Sequence, residues 1–139
     1  MPNHVSNKLT VDGATKEVNR FLKHMGKGFD FEKIIPMPDN IYRPREWYGS
    51  QENMKRLAKE GRPNWYDWSI KNWDTKWNAY NVERQIGKHK HVGGKYVTYD
   101  FLTAWSPPEK IVEKLRKDWP QLDIHGGYVG EGYEFCDQF

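Results

Sequence analysis

The segment Lys95–Trp105 places the strongest constraint on how this chain can fold. In its sequence, KYVTYDFLTAW, the large side chains of Val97, Tyr99 and Phe101 recur at every second position. A period of two is typical of a β-strand that buries one face and leaves the other open. Such a strand needs a second layer to cover its buried face. The pattern therefore predicts a layered fold that contains a β-sheet.

Similar patterns predict further strands on both sides of this segment. The other predicted strands are Val5–Val11, Phe29–Pro38, Asn78–Ile86, Gln121–Val129 and a last short strand marked by Tyr133 and Phe135. Apolar residues at helical spacing predict a helix at Ala14–Met25 and another that begins at Ser106-Pro107-Pro108-Glu109 and ends at Pro120. Two shorter helices are predicted at Gln51–Glu60 and Asn64–Asn72.

Polar residues at two positions suggest how the long helices begin. Asp12 precedes the first helix and is a plausible N-cap, because a short side chain with an oxygen can accept from free backbone N–H groups. Ser106 precedes the second helix, with Pro107 in the first turn and Glu109 three residues after Ser106. That spacing predicts a capping box.

The order of elements predicts one α+β domain over residues 1–139. Short connections between strands and helices favour an antiparallel sheet with two helices on one face. This is the split βαβ, or ferredoxin-like, sandwich. A helical, Trp-rich insertion at residues 40–77 lies between the two halves of that sandwich.

The insertion carries an unusual concentration of tryptophan. The stretch Asn64–Ala79, NWYDWSIKNWDTKWNA, holds four of the seven tryptophans of the chain. Trp73, Trp77 and Trp105 are expected to pack together where the insertion meets the sheet. The remaining aromatic residues predict a partly open contact surface, because tryptophan and tyrosine dominate binding hot spots. This predicted contact surface consists of Trp47, Tyr48, Trp65, Tyr66 and Trp68, with Arg43, Arg45, Arg56 and Arg62 (and Lys55 and Lys59) placed to steer a partner.

Nucleic acid is an alternative partner. The net charge is +3 and the isoelectric point is about 8.9, which permits contact with phosphate without demanding it. The loop Gly87–Gly94 gathers four basic or titratable side chains, namely Lys88, His89, Lys90 and His91. The sheet face opposite the helices argues against RNA binding on the sheet itself, since Tyr96 is its one strong stacking residue and Asp100 lies beside it.

Residues for catalysis, cofactors and metals are sparse. The single cysteine, Cys136, excludes an intramolecular disulfide and an iron–sulfur cluster. A metal held by His89 and His91 lacks an obvious third ligand. No nucleotide-binding glycine motif and no nucleophile–base pair is recognisable, so we expect no enzyme, no cofactor and no tightly bound metal. A small enzyme of unknown reaction stays an alternative.

The N-terminus lacks an apolar signal segment, and no run of residues is long and apolar enough to cross a membrane. These two features predict a cytoplasmic protein without membrane contact. Other proteins or nucleic acids of the cytoplasm are then the available partners.

Five motifs resemble a known family. They are NHVSNKLTV (3–11), FEKIIPMP (31–38), KNWDTKWNA (71–79), FLTAWSPPEKIVEKL (101–115) and GYVGEGYEF (127–135). Together these motifs are similar to the YubB-like, ferredoxin-like proteins that phages and plasmids carry. One departure is Asp74, where the family pattern has glycine. The resemblance implies an accessory protein of a mobile element that binds a host macromolecule, with a host protein as the first expectation. Such proteins often modulate host machinery, including defence systems such as CRISPR. An anti-CRISPR-like role as an inhibitor of host defence is therefore one expectation.

Overall fold

A five-stranded antiparallel sheet forms the centre of the protein, as seen in a computed structural model that describes residues 3–38, 65–89, 93–133 and 135–139. The strands are β1 (His4–Ala14), β2 (Tyr80–Lys88), β3 (Gly94–Ala104), β4 (Asp123–Gly130) and β5 (Cys136–Gln138). The helices are α1 (Thr15–Met25), α2 (Trp65–Trp73) and α3 (Glu109–Asp118), with 3-10 turns at Phe31–Lys33 and Glu131–Tyr133.

The strand order confirms the predicted ferredoxin-like α+β fold. Across the sheet the strands run β2-β3-β1-β4-β5, and every neighbouring pair is antiparallel. Two βαβ halves, β1-α1-β2 and β3-α3-β4, interleave so that β1 and β3 lie at the centre. The short β5 adds a fifth strand beside β4. Within the described part of the chain, no helix combines the length and the apolar character needed to cross a bilayer.

The core lies between the sheet and the helices, on the face that the period-two patterns predict. Along β3, Val97, Tyr99 and Phe101 are at most 2% exposed. The apolar stripes of α1 and α3 cover these strand residues, and their buried members are Val18, Phe21, Met25, Ile111, Val112 and Leu115. Burial raises the pKa of Tyr99 to about 12, although the nearby Arg84 guanidinium opposes that rise. The predicted buried face is therefore confirmed.

The predicted strand at Phe29–Pro38 is wrong, because the chain forms a 3-10 turn at Phe31–Lys33 instead. The Asp30 side chain accepts from the backbone N–H of Glu32 at 2.9 Å and so caps this turn. The rings of Phe29 and Phe31 both point into the core and meet edge to face. Alternating aromatic residues therefore mark two core anchors on a turn here, not a strand.

Both predicted helix caps are also wrong. Asp12 and Gly13 remain within β1, where they pair with Tyr96 and Lys95 of β3, so the ladder continues past the expected turn. The residue that precedes α1 is Ala14, which makes no capping hydrogen bond through its side chain. Strand pairing thus extends β1 by three residues beyond the alternation seen in the sequence.

The start of α3 is stabilised by Asp74, a residue distant in sequence. Its carboxylate Oδ2 accepts from the backbone N–H of Lys110 at 3.0 Å, and its Oδ1 lies 3.5 Å from Lys110 Nζ. The predicted cap, Ser106, instead donates its hydroxyl to the Asp74 carbonyl. Asp74 has φ of 64°, a left-handed conformation that glycine adopts freely and aspartate tolerates. This explains how an aspartate replaces the expected glycine at this turn.

Substitutions of Asp74 test this capping role. We expect Asp74→Ala to lower the free energy of unfolding by about 1–2 kcal/mol, because alanine loses the cap and is strained at positive φ. Asp74→Asn keeps an acceptor, and Asp74→Gly keeps the backbone freedom, so both should cost less. Urea denaturation of the three variants measures the order. An Asp74→Ala variant as stable as the wild type would contradict the assignment.

Two strand boundaries differ from the sequence pattern as well. β2 runs to Lys88, so the first basic residue of the predicted loop belongs to the strand. The last strand is Cys136–Gln138 and not the segment of Tyr133 and Phe135. Pairing with neighbouring strands decides both boundaries, since the hydrogen-bonded ladder continues wherever a partner strand is present.

Candidate functional site

An aromatic groove lies where α2 meets the chain that leads into β2. Its volume is about 750 Å³, which is within the range of ligand-binding sites. The described residues that line it, called here the aromatic groove, are Trp65, Tyr66, Lys76, Trp77, Asn78, Ala79 and Tyr80. The lining is mainly aromatic and apolar, and Lys76 is its one cationic side chain among the described residues.

The core fixes the wall that α2 contributes. At the end of the helix, Trp73 is 3% exposed and its Nε1 donates to the Ile35 carbonyl at 2.9 Å. The Trp73 ring also meets the rings of Phe31 and Trp68 edge to face. With this end anchored, the first residues of α2, Trp65 and Tyr66, are held at the groove.

The floor of the groove is held by polar side chains beneath it. The Asn78 amide donates to Asp30 Oδ1 at 2.7 Å, and its oxygen accepts from the Phe31 backbone N–H at 2.9 Å. Thr75 is fully buried and donates its hydroxyl to the Trp77 carbonyl at 2.6 Å. The backbone on both sides of Trp77 is thereby tied to the body of the protein.

Trp105 lies beside the groove and extends it through contacts with the lining residues Lys76 and Tyr66. The Lys76 ammonium lies 4.8 Å from the centroid of the Trp77 ring and 4.6 Å from that of Trp105. Trp105 follows β3 with φ of 73° and is 43% exposed. Its ring meets Tyr66 edge to face at 6.1 Å. The lysine is therefore held between two indole rings by cation–π attraction.

A polar cluster adjoins the groove at Tyr80. The Tyr80 hydroxyl is hydrogen-bonded to His4 Nδ1, and the His4 backbone N–H donates to Glu131 Oε2 at 3.0 Å. Burial, followed by the nearby Glu131 carboxylate, raises the pKa of Tyr80. The phenol therefore keeps its proton at neutral pH and acts as a fixed neutral wall of the groove.

The structure brings together only part of the predicted contact surface. Trp65 and Tyr66 line the groove, whereas Trp68 packs on Trp73 at the core side of α2. The other predicted contact residues lie outside the described residues, and they are Trp47, Tyr48, Arg43, Arg45, Arg56, Arg62, Lys55 and Lys59.

The expected packing of three tryptophans is wrong. Trp73 lies in the core with Phe31, while Trp77 and Trp105 are joined through the Lys76 ammonium. Sequence reasoning therefore assigned Trp77 and Trp105 to the core, although they belong to the groove and its extension. It also missed Lys76 and Tyr80 as site residues. The aromatic density of the stretch 64–79 was the one signal that could have indicated them.

The alternative basic site is only partly described. Lys88 ends β2, and the His89 ring lies 5.2 Å from that of Tyr96, while Lys90 and His91 lie outside the described residues. Of the four side chains of the predicted phosphate site, the structure therefore describes Lys88 and His89.

A separate group of side chains has the chemistry of metal ligands. Asp12 of β1 and Asp123 and His125 of β4 place one ligand atom each within 4.8 Å of the others. His125 Nδ1 lies 3.6 Å from the Asp123 carboxylate and 4.0 Å from that of Asp12. The side chains of Asp123 and His125 are largely exposed, and such acidic groups are common without an ion.

Comparisons with known proteins bear on the second half of the chain. No curated protein and no solved structure matches the sequence. A family model, in contrast, matches one segment of the chain, which begins at the end of α2 and reaches the first residue of β5. This segment includes Lys76, Trp77, Tyr80 and Trp105. Residues 72–136 match the model of the family described as the ferredoxin-like domain in Api92-like protein.

Proposed function

We propose that this protein is a non-enzymatic accessory protein of a phage or plasmid that binds a host protein through the aromatic groove. The observation that carries the proposal is the groove itself, with Trp65, Tyr66, Trp77 and Tyr80 around a space of about 750 Å³. The motifs similar to YubB-like proteins support the origin in a mobile element. The host cytoplasm is the proposed place of action.

The construction of the groove suits protein binding. Tryptophan and tyrosine give a large contact area with few rotatable bonds, which is why they dominate binding hot spots. Here the hydrogen bonds of Asn78 and Thr75 hold the groove floor before a partner arrives. Little conformational entropy is then lost on association, and this favours affinity.

The chemistry at the groove favours binding over catalysis. Among the described residues at the groove, the Tyr80 hydroxyl and the His4 ring form the contact that resembles a nucleophile and its base. A nucleophile is activated by a lowered pKa, whereas burial and Glu131 raise that of Tyr80. This pair is therefore better suited to a structural role. A counter-defence inhibitor that occupies a surface of a host defence protein is the specific form that we propose.

Affinity capture from host lysate, followed by mass spectrometry, tests the function. We expect the wild type to retain a specific host protein, and Tyr66→Ala and Trp77→Ala to weaken binding of that purified protein at least tenfold, which corresponds to about 1.4 kcal/mol. Ile70→Ala is the matched control, because Ile70 is an exposed residue of α2, the helix that also carries Tyr66, and does not line the groove.

Thermal melts of the same variants separate binding from folding. Melting temperatures close to the wild type are expected, since the side chains of Tyr66 and Trp77 are only partly buried and do not belong to the core. If the variants unfold, the groove aromatics are core residues and the site is wrong. The alternative partner, nucleic acid, would be favoured if the protein captures nucleic acid alone and if both added salt and the Lys88→Ala substitution abolish that capture. Failure to retain any protein under several host conditions would contradict the proposal.

A further inference from the structure

The position of Lys76 indicates the charge of the partner. Its ammonium lies 4.8 Å from the centroid of the Trp77 ring and 4.6 Å from that of Trp105, so cation–π attraction holds the charge at the groove. No carboxylate occurs among the described residues that line the groove. A fixed cation beside apolar rings interacts more strongly with an anion than a lysine surrounded by water does.

The ring arrangement indicates the shape of the partner. The rings of Trp65 and Tyr66 meet at 87°, and those of Trp77 and Tyr80 at 65°, so neither pair forms a parallel stack. Aromatic-lined grooves of this kind accept extended, proline-containing segments, whose rigid backbone loses little entropy on binding. A carboxylate near such a segment can reach Lys76.

We infer that the partner inserts an extended, proline-containing acidic segment into the aromatic groove and places a carboxylate on Lys76. The inference rests on the proposed function and defines the chemistry of the host protein. Charge complementarity at Lys76 selects an acidic segment, and the aromatic lining of the groove accepts proline. A phosphate backbone of single-stranded nucleic acid is the competing occupant.

Titration of the whole protein with three synthetic peptides tests the inference. The probes are acetylated, amidated Glu-Pro-Leu-Pro-Glu, its lysine analogue Lys-Pro-Leu-Pro-Lys, and its glycine analogue Glu-Gly-Leu-Gly-Glu. Indole N–H signals in ¹⁵N NMR spectra report where each peptide binds. We expect the first peptide to shift the signals of Trp77 and Trp105 and to bind at least tenfold more tightly than either analogue.

Variants of Lys76 attribute the preference to this residue. Lys76→Met should remove the tenfold preference for glutamate over lysine, and Lys76→Arg should retain it. Lys16→Met is the matched control, because Lys16 is an exposed lysine at the start of α1. It follows the last residue of β1, whereas His4 at the first residue of β1 contacts Tyr80 of the groove. This variant should therefore leave the preference unchanged.

Several results would overturn the inference. Absence of binding by the first peptide, equal affinity for the three peptides, or a preference that persists in Lys76→Met would each do so. So would a single-stranded oligonucleotide that shifts the same indole signals when the peptides do not. If a host protein is captured through the groove and Lys76→Glu leaves its affinity unchanged, the inference fails while the proposed function stands.

Discussion

Replacing Trp73 by alanine is expected to lower the free energy of unfolding by about 3–5 kcal/mol. The side chain is 3% exposed and packs against the rings of Phe31 and Trp68. Its removal leaves a cavity that these neighbours cannot fill. The Ile35 carbonyl also loses the indole donor that lies 2.9 Å away. A part-buried acceptor that loses its partner adds to the cost.

Urea denaturation, monitored by circular dichroism, measures this loss. Trp105→Ala is the matched control, because this tryptophan is 43% exposed and its removal should cost below about 1 kcal/mol. Equal effects of the two substitutions would mean that Trp73 does not anchor α2. The groove would then lack the rigid wall on which the proposed function depends.

Replacing Gly126 by alanine is expected to destabilise the protein by about 3 kcal/mol or more, at the upper end for overpacking. A Cβ atom at this position would lie 2.0 Å from the Lys8 carbonyl oxygen and 3.0 Å from Leu9 Cα. Both are backbone atoms of β1, which pairs with β4 at this point. Backbone at the centre of a sheet cannot move aside as a flexible side chain can, so the pairing of β1 with β4 must break or distort.

Gly28→Ala is the control for this substitution. A Cβ atom at Gly28 meets no other atom within 4 Å, so its effect on stability should stay within about 1 kcal/mol. Chemical denaturation gives the free energies, and ¹⁵N NMR spectra report whether β1 and β4 remain paired. A Gly126→Ala variant with native stability would mean that the two strands are not packed as closely as described.

Alternation of large and small side chains determined most of the fold. The buried faces of β1 and β3 follow from Val5, Leu9, Val97 and Phe101, because a strand turns successive side chains to opposite sides wherever it is placed. The helical period gave α1, α2 and α3 in the same way. The ferredoxin-like order then followed from the sequence of elements.

The turn at Phe31–Lys33 was not predictable from the pattern. Its two phenylalanines alternate as they would in a strand, and the local sequence does not reveal that Asp30 caps a turn. The start of α3 depends on Asp74, which lies 36 residues before Lys110, the residue whose N–H it accepts. Contacts between such distant residues leave no trace in local periodicity.

For the groove, the sequence by itself indicated which aromatic residues were available but not how they are arranged. Aromatic density in the stretch 64–79 predicted a contact surface that includes Trp65 and Tyr66, and both residues line the groove. Tertiary structure decided that Trp73 lies in the core and that Trp77 faces the groove. The physical reason is that the burial of a tryptophan depends on which neighbours the fold places around it. Trp73 meets Phe31, and Trp77 meets the Lys76 ammonium.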